Sequence, residues 1–223
     1  CGIEGWKERV VGGRESIPYI YPWLVSLINE DRDPYCGGSL ISNDYVLTAA
    51  HCVIDTENNN EPKKKSHVRI VFGAHDMFKR RKTLTFRVQD WKVHPNFQSV
   101  DNYDIALIKL KIPPKLRKQL TSKFMPICLP DVEFSRSNKF IVAGWGQVKT
   151  DGFWSRKLLE ATVNGTSLQD CRDKFDDQNL ITDRHLCAGN SKRDSCKGDS
   201  GGPLMQKKRG KMYLHGIASY GDE

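Results

Sequence analysis

From Pro22 to Ser219 the chain is punctuated into short runs of β-branched and aromatic residues separated by turn chemistry. The runs at 24–28, 38–42, 45–49, 68–72, 84–93 and 105–110 lie in the first half, and those at 140–145, 158–163, 203–206 and 213–219 in the second. Their alternation and their Gly-, Pro- and Asn-rich gaps predict an all-β protein. Pro113-Pro-Lys-Leu-Arg-Lys118 interrupts the pattern and reads as the crossover between two halves. One helix is expected, over residues 167–175, with Thr166 or Ser167 as its N-cap. There is no internal repeat.

Within this frame one stretch carries chemistry, Asp194-Ser-Cys-Lys-Gly-Asp-Ser-Gly-Gly-Pro203. Glycines beside Ser200 let the backbone approach a ligand closely. The N–H groups of Gly198 and Ser200 can converge on an oxyanion next to a nucleophilic hydroxyl, the pairing that acyl transfer needs. A hydroxyl at its free pKa is a poor nucleophile, so a base must come from elsewhere. Leu47-Thr-Ala-Ala-His51-Cys52 offers a histidine, and Asp104-Ile-Ala-Leu107 a carboxylate entering an apolar strand.

These motifs, in the order His51, Asp104, Ser200, resemble those of the chymotrypsin-like serine proteases. Val10-Val-Gly-Gly13, Pro22-Trp23, Cys36-Gly-Gly-Ser39, Ala143-Gly-Trp-Gly146 and Gly216-Ile-Ala-Ser-Tyr-Gly221 extend the likeness over nearly the whole chain. The resemblance implies two antiparallel six-stranded β-barrels with the active site between them, spanning about residues 22–112 and 124–223. It implies that Ser200 attacks, His51 accepts its proton, Asp104 orients His51, and Gly198 and Ser200 form the oxyanion hole.

The same resemblance makes Arg9-Val10 an activation site, leaving residues 1–9 as the remnant of an activation peptide and 10–223 as the protease domain. The new amine of Val10 would pair with buried Asp199, whose unpartnered carboxylate is strongly disfavoured. Asp194 would floor the pocket for the side chain before the scissile bond, with Ser195 beside it, and so select Arg or Lys. Ser219, Tyr220 and Gly221 match the segment that pairs with the substrate backbone; Tyr220 departs from the tryptophan common there.

Seven cysteines without C-x-x-C pairs read as a disulfide set, hence a secreted protein. The family pattern pairs Cys1 with Cys128, Cys36 with Cys52 and Cys171 with Cys187, each worth on the order of 2–4 kcal/mol. It leaves Cys196 needing a partner beyond Glu223, so a last strand and terminal helix are expected to follow.

No run reaches about 18 apolar residues, so no membrane helix is expected. The net charge of +8 comes without a nucleic-acid motif, and no nucleic-acid partner is expected. Gly73–Lys82 has one carboxylate, too few for calcium, and no metal or cofactor is expected. Its basic end, Lys79 to Lys82, is read as a solvated run or as a site for an acidic macromolecule or a serpin-type inhibitor. Asn164-Gly-Thr166 is a glycosylation sequon. Two functions follow: a zymogen-activated, trypsin-like endopeptidase of a proteolytic cascade, or a non-catalytic homologue that binds a partner. Such homologues lose a triad residue or the oxyanion glycine, whereas His51, Asp104, Gly198 and Ser200 are all present.

Overall fold

Leu24-Val-Ser-Leu-Ile28 is buried at every position, so it can only be an inner strand with partners on both edges. The computed structural model describes residues 1–5, 14–56, 58–79, 83–130, 138–146, 154–175, 180–189 and 199–221. Arg9, Val10, Arg80, Arg81, Lys82, Asp194, Ser195, Cys196 and Gly198 lie outside the described residues.

In chain order the strands begin with β1 (Arg14–Glu15), β2 (Leu24–Ile28), β3 (Pro34–Leu40), β4 (Tyr45–Thr48) and β5 (Ile54–Asp55). They continue with β6 (Glu61–Pro62), β7 (Arg69–Phe72), β8 (Leu84–Val93) and β9 (Ala106–Lys111). The second half supplies β10 (Lys139–Gly144), β11 (Leu159–Gly165), β12 (Ala188–Gly189), β13 (Pro203–Lys208) and β14 (Lys211–Ile217).

Strands β2, β3, β4, β9, β8 and β7 close into an antiparallel barrel. Closure leaves no free edge and turns alternate side chains inward. In β8 the inward set includes Phe86 and Val88, while Thr85 and Arg87 face water. Phe72 meets Phe86 edge-on at 5.6 Å and Phe124 at 5.2 Å in the barrel core.

The second half is a six-stranded sheet in the order β1-β11-β10-β13-β14, with β12 also on β11. The two-barrel architecture is therefore present with one difference: among the described residues the second sheet does not close on itself, because β13 is the one strand that pairs with β14, and Cys128 adds only an isolated parallel bridge to Tyr213. Buried Trp23 spans the two halves, its indole N–H directed at Met205 Sδ 3.2 Å away. The start of the chain is stitched to the second half as well. Gly2 donates to Pro126 and accepts from Met212, and Cys1 is bonded to Cys128.

The crossover expected to be irregular contains a helix, α1 (Pro114–Lys123). Pro114 fits the first turn because the N–H it lacks would have no intrahelical partner there. Leu120 is buried, anchoring the helix. The expected second-half helix is shorter than its sequence window, α2 (Leu168–Arg172), with the Ser167 hydroxyl accepting from the Asp170 N–H.

Candidate active site

Strands β4 and β9 run antiparallel with Thr48 opposite Ala106. The chain leaving β4 and the chain entering β9 therefore emerge at the same barrel end, bringing His51 and Asp104 together. His51 sits in a 3-10 turn, Ala50–Cys52, whose flanking residues are buried. The Asp104 side chain is only 3% exposed and that of His51 18%.

A carboxylate that buried must be satisfied, and this one is. Asp104 Oδ1 accepts the backbone N–H of His51 at 2.9 Å, and Oδ2 lies 2.7 Å from His51 Nδ1. The Ser219 hydroxyl, from the second half, also reaches Oδ2. Donation from Nδ1 to Asp104 leaves Nε2 of a neutral imidazole as the free base. That nitrogen is 3.9 Å from Cys52 Sγ, which is in turn 3.7 Å from the Ser200 carbonyl oxygen. Cys52 is bonded to Cys36, so this sulfur carries no proton and acts as a wedge between the two. For the same reason Cys36, His51 and Cys52, though clustered, cannot supply thiolates to a metal.

Ser200 is held by its backbone. Its carbonyl accepts the Gly37 N–H of the barrel at 2.7 Å, and Gly201 donates to Ala218 of the second half at 2.7 Å. Gly201 has φ +78°, and a Cβ there would lie 2.2 Å from Thr48 Oγ1, so glycine is required. Asp199 turns its carboxylate towards the second half, where Oδ1 accepts the Gly146 N–H at 2.8 Å. A Cβ on Gly144 would fall 1.9 Å from that oxygen. Among the described residues no hydrogen bond joins the Ser200 hydroxyl to His51.

A cleft of about 900 Å³ opens beside this pair, its wall formed by Asp104, Ser219, Tyr220, Gly221, Phe175 and His185. Among the described residues the buried Tyr220 hydroxyl has no hydrogen-bond partner. Burial, and then the charge of Asp101, raises its pKa. Phe175 and His185 meet its ring edge-on. Gly221 adds no side chain to the cleft, and a Cβ there would meet nothing. Cys171 and Cys187 are bonded behind α2, and Asn164 is exposed on β11.

The other histidines serve local packing. His75 contacts Glu15 at 2.9 Å, His67 contacts Glu30 at 3.1 Å, His94 stacks on Tyr103, and His215 packs on Phe140. His185 Nδ1 accepts the Thr182 N–H. What the sequence did not reveal is Ser219 as a partner of Asp104: the motif marks the segment, but no local pattern says where its hydroxyl points.

The family model described as Trypsin matches residues 10–223. The hepatocyte growth factor activator serine protease of Mus musculus is 35% identical over 226 residues, covering 97% of this chain and 33% of that protein. The urokinase-type plasminogen activator of Gallus gallus is 31% identical over 238 residues, covering 100% of this chain and 54% of that protein. This chain thus spans between a third and about half of the length of these relatives. No helix among the described residues is long and apolar enough to cross a membrane. The chain belongs to the trypsin family of serine proteases.

Proposed function

We propose that this chain is the catalytic domain of a secreted, trypsin-like endopeptidase that cuts proteins after Arg or Lys once it is itself cut at Arg9-Val10. The observation that carries the reading is the buried Asp104 carboxylate, 2.7 Å from His51 Nδ1 and closed off by Ser219. A buried carboxylate on Nδ1 fixes the tautomer and stabilises the imidazolium. His51 Nε2 takes the Ser200 proton as Oγ attacks the scissile carbonyl. The backbone N–H groups of Gly198 and Ser200 receive the oxyanion, and the imidazolium then protonates the leaving amine. Water repeats the sequence to release the acyl group, so no cofactor is needed.

Arg or Lys is selected by Asp194 and Ser195, and the substrate backbone pairs with Ser219, Tyr220 and Gly221. Activation works through Asp199: the amine freed at Val10 pairs with its carboxylate and completes the oxyanion hole. The barrel at 22–112 and the second unit at 124–223 contribute one side of the site each. The disulfide of Cys1 with Cys128 keeps residues 1–9 attached after the cut. A role in a cascade draws support from the relatives, a hepatocyte growth factor activator protease and a plasminogen activator, both named for activating another protein. The basic segment beginning at Lys79 suits an acidic macromolecule, and the exposed Asn164 suits glycosylation.

The test is labelling with a fluorophosphonate, in which Ser200 Oγ displaces fluoride from phosphorus and His51 takes the proton. The chain cut at Arg9 is expected to label on Ser200, while His51→Ala and uncut Arg9→Gln label at least about 100-fold more slowly. Equal labelling in all three would remove the reading.

A further inference from the structure

Tyr103, the residue before Asp104, has φ +55°. A bulky aromatic is an outlier in the left-handed region, where glycine and short polar residues are at home. Such a conformation persists only where the surroundings over-determine it. Here the Tyr103 ring lies parallel to His94, with centroids 4.3 Å apart and planes 9° from coplanar. The Arg184 guanidinium sits 4.5 Å from the same ring centre.

Both holding groups are themselves fixed. His94 follows β8; its N–H donates to the Ile105 carbonyl at 3.0 Å, and its Nδ1 accepts the Asn96 N–H at 3.2 Å. Arg184 comes from the second half, beside the Cys171–Cys187 disulfide, and directs Nη2 at Asn102 Oδ1, 3.5 Å away. The same loop presents His185 to Tyr220 in the cleft wall. Between these anchors the backbone turns tightly over Asp104, with the Ile105 N–H donating to the Tyr103 carbonyl at 2.7 Å. The dihedrals of that turn set the direction of the Asp104 side chain.

We infer that Tyr103, clasped by His94 and Arg184, is a positioning residue: it holds the left-handed turn that aims Asp104 at His51, and Arg184 ties that aim to the cleft loop of the second half. The inference rests on the reading of His51 and Asp104 as part of the reacting machinery. An arginine over an aromatic face is attracted by the ring quadrupole, and Ala at 184 removes that attraction.

Three variants of the full chain cut at Arg9 separate ring from backbone. Tyr103→Phe keeps the stack. Tyr103→Gly accommodates φ +55° without strain and removes the ring. Arg184→Ala removes one holding group. Two signals are read: kcat and KM on an Arg-amide, and the proton NMR resonance of His51 Nδ1–H, which lies far downfield only while the hydrogen bond to Asp104 is short. Tyr103→Phe is expected to match the parent in both. Tyr103→Gly is expected to lose roughly 10- to 100-fold in kcat, with KM nearly unchanged, and its downfield resonance is expected to broaden or disappear. Arg184→Ala is expected to move both in the same direction by less.

Parent kcat and an undisturbed resonance in Tyr103→Gly would overturn the inference. If Tyr103→Gly does not fold, the same result in Arg184→Ala overturns it. If the parent shows no turnover, the proposed function fails, and the resonance alone still decides whether Tyr103 positions Asp104.

Discussion

The hydroxyl of Ser219, at the end of the second sheet, reaches the Asp104 carboxylate at the mouth of the first barrel, within 2.9 Å of the Val100 carbonyl oxygen too. One proton serves two acceptors, and the charged one binds it more strongly. Ser219→Ala therefore removes a donor from a buried carboxylate, a loss of about 1.5–3 kcal/mol where it is felt in full. We expect kcat to fall by about tenfold with little change in KM. Unchanged kcat in steady-state assays would assign the proton to Val100.

Gly144 stands where any side chain would collide with Asp199 Oδ1. Gly144→Ala must push that carboxylate out of its place against the Gly146 N–H, and Ser200 follows Asp199 directly. Loss of at least about 100-fold in kcat/KM is expected, the scale of a misplaced oxyanion donor. The thermal midpoint should move far less in proportion, because the first barrel is untouched. Full activity in the folded variant would mean that Asp199 does not govern the loop.

Away from the site, Asp76 gives a pH test. Both of its oxygens accept from Arg156 Nε, at 2.9 and 3.0 Å, and this, followed by the Phe78 N–H, outweighs partial burial and holds its pKa at about 2. A carboxyl whose pKa is lower in the folded state adds stability that is full above its unfolded value, near 4, and fades as pH falls towards 2. Asp76→Asn should therefore melt below the parent at pH 7, and the gap should narrow once the pH drops below about 4. A gap constant from pH 7 to pH 3 would show that the loss is one of packing alone.

Asp194 decides substrate choice in this account. Asp194→Ser takes away the charge that meets an incoming guanidinium, and Arg substrates should lose at least about 100-fold in kcat/KM. An unchanged preference for Arg over Leu would place the selecting carboxylate elsewhere.

Much of this architecture could be read from residue order, because the strands announce themselves by local alternation. The edges could not: the run read as 38–42 is Pro34–Leu40, since β3 begins where Ile28 of β2 finds Pro34 opposite. Helix α1 escaped notice because two prolines read as a break, although the second starts a helix. At the site, His51 and Asp104 stand in short motifs with definite spacing. The Ser219 hydroxyl on Asp104 and the clasp on Tyr103 join residues 115 and 81 positions apart in pairs that share no local pattern. Only a folded chain brings such groups into register.

The most direct test of the central claim is hydrolysis of a small Arg-amide by the chain before and after the cut at Arg9, beside Ser200→Ala treated identically. The account predicts strong turnover only in the cut parent chain, with Ser200→Ala lower by at least about 1000-fold. Turnover that survives in Ser200→Ala, or a correctly cut and folded parent with none, would contradict it.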